Sequence, residues 1–217
     1  MKMKKIESGL VALIVMLFTF VSADAVMSHF VTISGTATVT PAPEVLQQSW
    51  LEGNTTGCTG VYHNCDDEHI DKNLTQSFVP TKNGLITKAG LFLTRHSGSS
   101  SVNLTVQISG NTNSTCKSGS INCPNSTIIA SGTITSFNGT SDDYSWKNVT
   151  FTSPVLLSSG KIYHLVILDA GGDVYRWAKD KTAPVYSSGQ KGISGPSGWD
   201  MKNNEAFIFK AYMQVGP

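Results

Sequence analysis

Beyond its first two dozen residues this chain alternates apolar and polar positions, and nowhere does it sustain a 3.6-residue period over the length of a long helix. The clearest case lies at 31–39, where Val31, Ile33, Gly35, Ala37 and Val39 share one face and Thr32, Ser34, Thr36 and Thr38 share the other. That pattern predicts a half-buried β-strand. Pro41-Ala42-Pro43 then interrupts it, because proline cannot donate to a ladder and favours extended linker geometry. The segment 44–72 is less periodic, with a short helical turn expected at 45–50 and a polar, cysteine-containing loop after it. From Gln76 onward strand-like runs follow one another at 85–95, 102–109, 128–134, 145–151, 162–169, 174–178 and 206–215. The stretch 162–168 is apolar on both faces, as a central strand requires, and 206–215 places Phe207, Phe209, Ala211, Met213 and Val215 on one side. Turn residues separate the runs at Lys82-Asn83-Gly84, Asn138-Gly139, Ser158-Ser159-Gly160 and Gly171-Gly172-Asp173. The expected fold is an all-β, jelly-roll β-sandwich preceded by a signal peptide and a tethered N-terminal strand. Its divisions are 1–25 for the signal, 26–43 for the strand and Pro linker, and 44–217 for the sandwich.

The signal is read from a basic stretch (Lys2, Lys4, Lys5), an apolar-rich run over 10–21 and a small-x-small site at Ala23-Asp24-Ala25. The run is shorter than the roughly 20 residues a bilayer span needs, so cleavage before Val26 is favoured over a retained anchor. A type IV pilin leader is the rival, with Ser8-Gly9 before the apolar run, but a pilin stalk helix needs a longer apolar stretch. Export changes the reading of everything downstream. Cys58, Cys65, Cys116 and Cys123 form two pairs with equal spacing, and disulfides Cys58–Cys65 and Cys116–Cys123 are the favoured pairing of the three possible. Zinc is disfavoured because neither pair has CxxC spacing and no His stands at finger spacing. Seven Asn-x-Ser/Thr sequons, at Asn54, Asn73, Asn103, Asn113, Asn125, Asn138 and Asn148, become candidate N-glycosylation sites. Charged residues make up 14% and the net charge is +1, which offers no footprint for nucleic acid and no polybasic membrane patch.

Three segments carry a family likeness. The run from Gln76-Ser77-Phe78-Val79-Pro80 to Ile86-Thr87, the run Trp146-Lys147-Asn148-Val149-Thr150-Phe151 to Leu157, and Gly160-Lys161-Ile162-Tyr163-His164 with Tyr175-Arg176-Trp177 together resemble the jelly-roll modules of secreted bacterial and archaeal surface proteins. Those modules are similar in architecture to carbohydrate-binding modules. The likeness spans about two-thirds of the chain, and it implies fold more than ligand. At the front, Ala25-Val26-Met27-Ser28-His29-Phe30 with the alternating strand resembles the start of camelysin-like and archaeal bundling-pilus subunits. There, cleavage exposes a strand that can insert into a neighbour. The chain departs from the camelysin group in having Ser28-His29-Phe30 where an aromatic-Phe-Ser-Asp signature is common.

Sequence motifs for catalysis are missing: there is no GxSxG, HExxH, P-loop or GxGxxG after a strand. Asp169 and Asp173 flank a glycine turn and read as turn caps rather than a glycosidase pair. The expectation is therefore a protein that is not an enzyme and needs no cofactor, with no catalytic or metal residues assigned. The acidic run Asp66-Asp67-Glu68-His69-Ile70-Asp71 reads as a solvated loop, with calcium as the alternative. Tyr175, Trp177 and Trp199 are candidates for stacking on a sugar face, against core packing as the competing explanation. Two functions remain in view. One is a secreted, N-glycosylated structural cell-surface protein, an extracellular filament subunit in which Val31, Ile33, Gly35, Ala37 and Val39 form the assembly strand for donor-strand exchange and self-association. The other is a secreted carbohydrate-binding module or lectin with a glycan ligand. Both place the protein outside the cell, with no nucleic-acid partner and no stable membrane insertion after cleavage.

Overall fold

The computed structural model describes residues 43–50, 66–95, 103–112, 116–117, 122–135, 144–169, 175–180, 189–203 and 205–215. The signal peptide, the strand at 31–39, Cys58 and Cys65, and the sequons Asn54, Asn113 and Asn138 lie outside these residues. The described strands all fall within one compact unit, Ala42–Pro217. In chain order they are β1 (Glu44–Trp50), β2 (Asp66–His69), β3 (Leu74–Phe78), β4 (Gly84–Arg95), β5 (Leu104–Thr112), β6 (Cys123–Ile134), β7 (Ser145–Leu157), β8 (Tyr163–Ile167), β9 (Tyr175–Asp180), β10 (Lys191–Gly195), β11 (Gly198–Lys202), β12 (Ala206–Phe207) and β13 (Phe209–Gln214).

These strands build two antiparallel sheets. The first runs β1-β13-β4-β9-β12, with β2 added on β9 and β7 on β4, and the second runs β11-β10-β3-β8-β5-β6. The pairings nest: β5 with β6, β4 with β7, β3 with β8 and β1 with β13. A single long antiparallel ribbon rolled over on itself gives this nesting, and it is the jelly-roll arrangement of two packed sheets. The short strands β2, β9 and β12 extend the first sheet, and the β10–β11 hairpin extends the second.

Between the sheets the inward positions form one core. β4 contributes Ile86, Ala89, Leu91 and Leu93; β13 contributes Phe209, Ala211 and Met213; β8 contributes Tyr163, Leu165 and Ile167. Each large side chain removed from water here contributes roughly 1.5–3 kcal/mol. β8 lies between β3 and β5 and is buried on both faces, as its apolar run requires. The expected run at 206–215 is divided: Ala206 and Phe207 pair with β9, and the chain resumes at Phe209 between β1 and β4.

Two expectations are corrected. Residues 45–50 form no helical turn but the outer strand β1, which pairs with β13 from Glu44 opposite Gln214 to Trp50 opposite Phe209. A register shift between Leu46 and Gln48 puts Val45 opposite Met213 and Trp50 opposite Phe209. This odd spacing breaks the period of two that marks a strand in sequence. The acidic run is likewise a strand rather than a loop, since Asp66 to His69 pair with Lys179 to Arg176 of β9.

Glycine allows close approach at two points, between the sheets at Gly132 and among neighbouring strands of the second sheet at Gly192. A Cβ on Gly132 of β6 would stand 2.5 Å from the Thr150 carbonyl oxygen of β7, so the edges of the two sheets meet there backbone to backbone. Thr152 Oγ1 donates to the Ser131 carbonyl at 2.8 Å and ties the same seam. In β10, a Cβ on Gly192 would meet Met201 Sδ at 2.3 Å and Thr75 Cγ2 at 2.7 Å.

Candidate functional site

The aromatic residues singled out for sugar stacking separate into two environments. Tyr175 and Trp177 are 0% exposed, so neither ring can meet a ligand, and core packing is the correct account of both. Trp177 stacks on Phe207 with centroids 4.1 Å apart and donates from Nε1 to the Ile208 carbonyl at 2.9 Å. β9 lies inside the first sheet, with β2 along one edge and β4 and β12 along the other, and its alternation turns both rings to the core face. Trp199 is half-buried against a small cluster of Cys116, Cys123 and Met201. Cys116 and Cys123 are disulfide-bonded, with Cα atoms 6.1 Å apart, and Lys117 N donates to the Trp199 carbonyl at 3.0 Å. Trp199 is thus tied to the disulfide and stands apart from the other two.

The outer face of the second sheet holds a polar network under this cluster. Thr75 and Ser77 of β3 lie opposite Val166 and His164 of β8, and all four are buried. His164 Nε2 is 2.9 Å from Asn111 Oδ1; because that oxygen can only accept, the ring donates from Nε2. Asn111 Nδ2 in turn donates to Asn122 Oδ1 at 3.2 Å, while His164 Nδ1 has no partner among the described residues. Burial pushes the imidazole pKa down to about 3, so His164 is neutral near pH 7. With one nitrogen bonded and the other enclosed, the ring sits within this network, registered between Ser77 of β3 and Ser109 of β5.

A second buried polar group lies at one end of the core. Lys191 Nζ is 2.6 Å from Glu205 Oε2, and Lys179 Nζ is 3.7 Å from the same oxygen. Lys191 also stands over the Phe207 ring at 5.4 Å, and Gln76 Oε1 accepts from Phe207 N at 2.7 Å. One carboxylate here serves two ammonium groups and ties β9, β10 and the β12 entry together. The arrangement is structural, since these side chains are nearly enclosed.

The outer face of the first sheet is different in kind. Across β13, β4 and β7, half-buried rings alternate with lysines: Lys88 Nζ is 4.4 Å from the Tyr212 ring centroid, and Lys210 Nζ is 4.0 Å from that of Trp146. Phe92 packs on Tyr144 and Trp146 at 5.7 and 5.2 Å. Glu44 of β1 reaches over β13 to pair with Lys88 and accept from Thr87. Partial burial works against its charge, but the hydrogen bonds from Lys88 and Thr87 and the Lys88 charge hold its carboxyl below the usual value. This face escaped the sequence reading because its residues come from three separate runs. The local signal was Trp146-Lys147-Asn148-Val149-Thr150, where strand alternation places a ring, an amide and a hydroxyl on one side.

The described sequons occupy varied surroundings. Asn103 and Asn148 are exposed, and Asn73 and Asn125 are half-buried. Asn73 Oδ1 accepts from Asp169 N at 2.8 Å, and Asn125 Nδ2 donates to the Asn111 carbonyl at 3.2 Å. Among the described residues no three His, Cys, Asp or Glu side chains converge as a metal site. Compared with protein-family models and with curated protein sequences, the chain matches none.

Proposed function

We propose that this chain is an exported, N-glycosylated structural protein of the cell surface, assembled into filaments by strand donation. The leader, the sequons and the paired cysteines support export. The observation that carries the assembly reading is the position of β1, which among the described residues pairs with β13 alone and so ends the first sheet. An outer strand presents a row of backbone donors and acceptors that an extended segment can extend as a further strand. The apolar face of Val31, Ile33, Ala37 and Val39 immediately precedes it, set off by Pro41 and Pro43. Donation from one subunit to the next is head to tail and does not close, so it makes fibres. Deleting residues 26–40 tests this: electron microscopy of producing cells should show fibres for the intact chain and none for the deletion. Fibres built from the deleted chain would refute strand donation.

A second reading, a secreted glycan-binding module, draws support from the ring-and-lysine face of the first sheet rather than from Tyr175 and Trp177. Its test is a glycan screen with the intact chain and the Trp146→Ala and Tyr212→Ala variants. Binding that both variants retain, or no binding to any glycan, would count against it.

A further inference from the structure

We infer that Asn148 is a glycan-bearing site whose first sugar lies on the Trp146 ring, making the outer face of the first sheet a bed for the chain's own glycan; this rests on the glycoprotein reading. In β7, Trp146, Asn148 and Thr150 are alternate residues and register opposite Phe92, Gly90 and Lys88, so ring, acceptor amide and sequon hydroxyl share the outer face. Val149 between them points into the core and is fully buried. The sequon is thus presented in extended form, with Asn148 and Thr150 both exposed.

Gly90 makes the floor of this bed. A Cβ there would stand 3.1 Å from Asn148 Oδ1, 3.3 Å from Trp146 Cε3 and 3.4 Å from Lys210 Cβ, so the missing side chain lets the amide and the ring converge. A pyranose has one face made of C–H bonds, and such a face stacks on an indole as aromatic rings do. Lys210 Nζ now lies over the ring, at 4.0 Å from its centroid. It is the end of a flexible chain, free to swing aside and donate to sugar hydroxyls at the rim. Of the seven sequons, Asn148 is the one with an aromatic residue two positions before it. By contrast, the amides of Asn73 and Asn125 are engaged by the backbone.

The test expresses the full chain in a secretory host that attaches N-acetylglucosamine-linked glycans, trims them enzymatically to the first sugar, and maps occupancy by glycopeptide mass spectrometry. Thermal unfolding is then compared with Asn148→Gln, in the Trp146 and Trp146→Ala backgrounds. The sugar should raise Tm by about 2–4 °C when Trp146 is present. Less than half of that should remain in Trp146→Ala, and most of it in Trp146→Phe. Equal gains in all backgrounds would overturn the inference, as would an empty Asn148 beside occupied sequons elsewhere. If every sequon were empty, the glycoprotein reading would fall as well. Should Trp146→Ala not fold, proton NMR of the wild-type glycoprotein decides: ring-current upfield shifts of the first sugar's protons support stacking, and unshifted protons overturn it.

Discussion

His164 sets an acid limit on this fold through its own chemistry. Its folded pKa, about 3, lies below the ordinary 6.5 because burial penalises the cation. The unfolded chain therefore binds the extra proton between those values, so stability is whole above about pH 6.5 and falls as the pH drops toward 3. The loss from this one group is at most about 5 kcal/mol. Glu44, whose carboxyl is held below 4.5, adds a loss of the same sign, but at lower pH. Urea denaturation between pH 6.5 and 4.5 should therefore report mainly on His164, and His164→Gln should flatten the slope there. Glu205 offers a second test at a single side chain. Replacing it by Gln withdraws the carboxylate that Lys191 and Lys179 both face, at an expected cost of about 3 kcal/mol. Chemical denaturation of Glu205→Gln should show that drop, with part of it recovered in a Glu205→Gln, Lys191→Met double variant.

Strands announced themselves in the sequence where apolar residues are dense, as in β4, β5, β8 and β13. They were hidden where polar side chains face inward or a register shift breaks the period. β3 reads Leu-Thr-Gln-Ser-Phe yet is buried throughout, because Thr75 donates to the Leu165 carbonyl, Gln76 bonds Phe207 N, and Ser77 accepts from Gln190 N. Such satisfaction comes from residues far along the chain and leaves no local trace. The same cause divided the aromatic candidates: the alternation of Tyr175 and Trp177 was legible, but which side faced the core depended on β4 and β12. The sheet seam is testable through its glycines. Gly132→Ala sets a Cβ against the Thr150 backbone, which cannot yield as a side chain would, and should cost about 1–3 kcal/mol. In Gly195→Ala the nearest atom is 3.7 Å away, so calorimetry should find it within about 0.5 kcal/mol of the parent.

Every pair of the nested ribbon, from β5–β6 out to β1–β13, lies between Glu44 and Gln214. The four nested pairs are thus built from Glu44 onward, and the apolar face read in the sequence at 31–39 calls for a partner to cover it. Under strand donation that partner is a second copy of the chain. A truncated chain beginning at Pro43 is therefore expected to unfold in one cooperative transition, with Tm within about 4 °C of the longer chain. It should also remain monomeric where the longer chain assembles. Adding a peptide of residues 26–40 in trans should raise the Tm of the truncated chain and slow amide exchange along β1, since a donated strand hydrogen-bonds to the edge it joins. If the peptide binds and protection appears along another edge, strand donation stands but its acceptor is not β1. A peptide that changes neither Tm nor exchange, beside a truncated chain that still assembles, would show that 26–40 is a spacer and that contacts between the sandwiches build any filament.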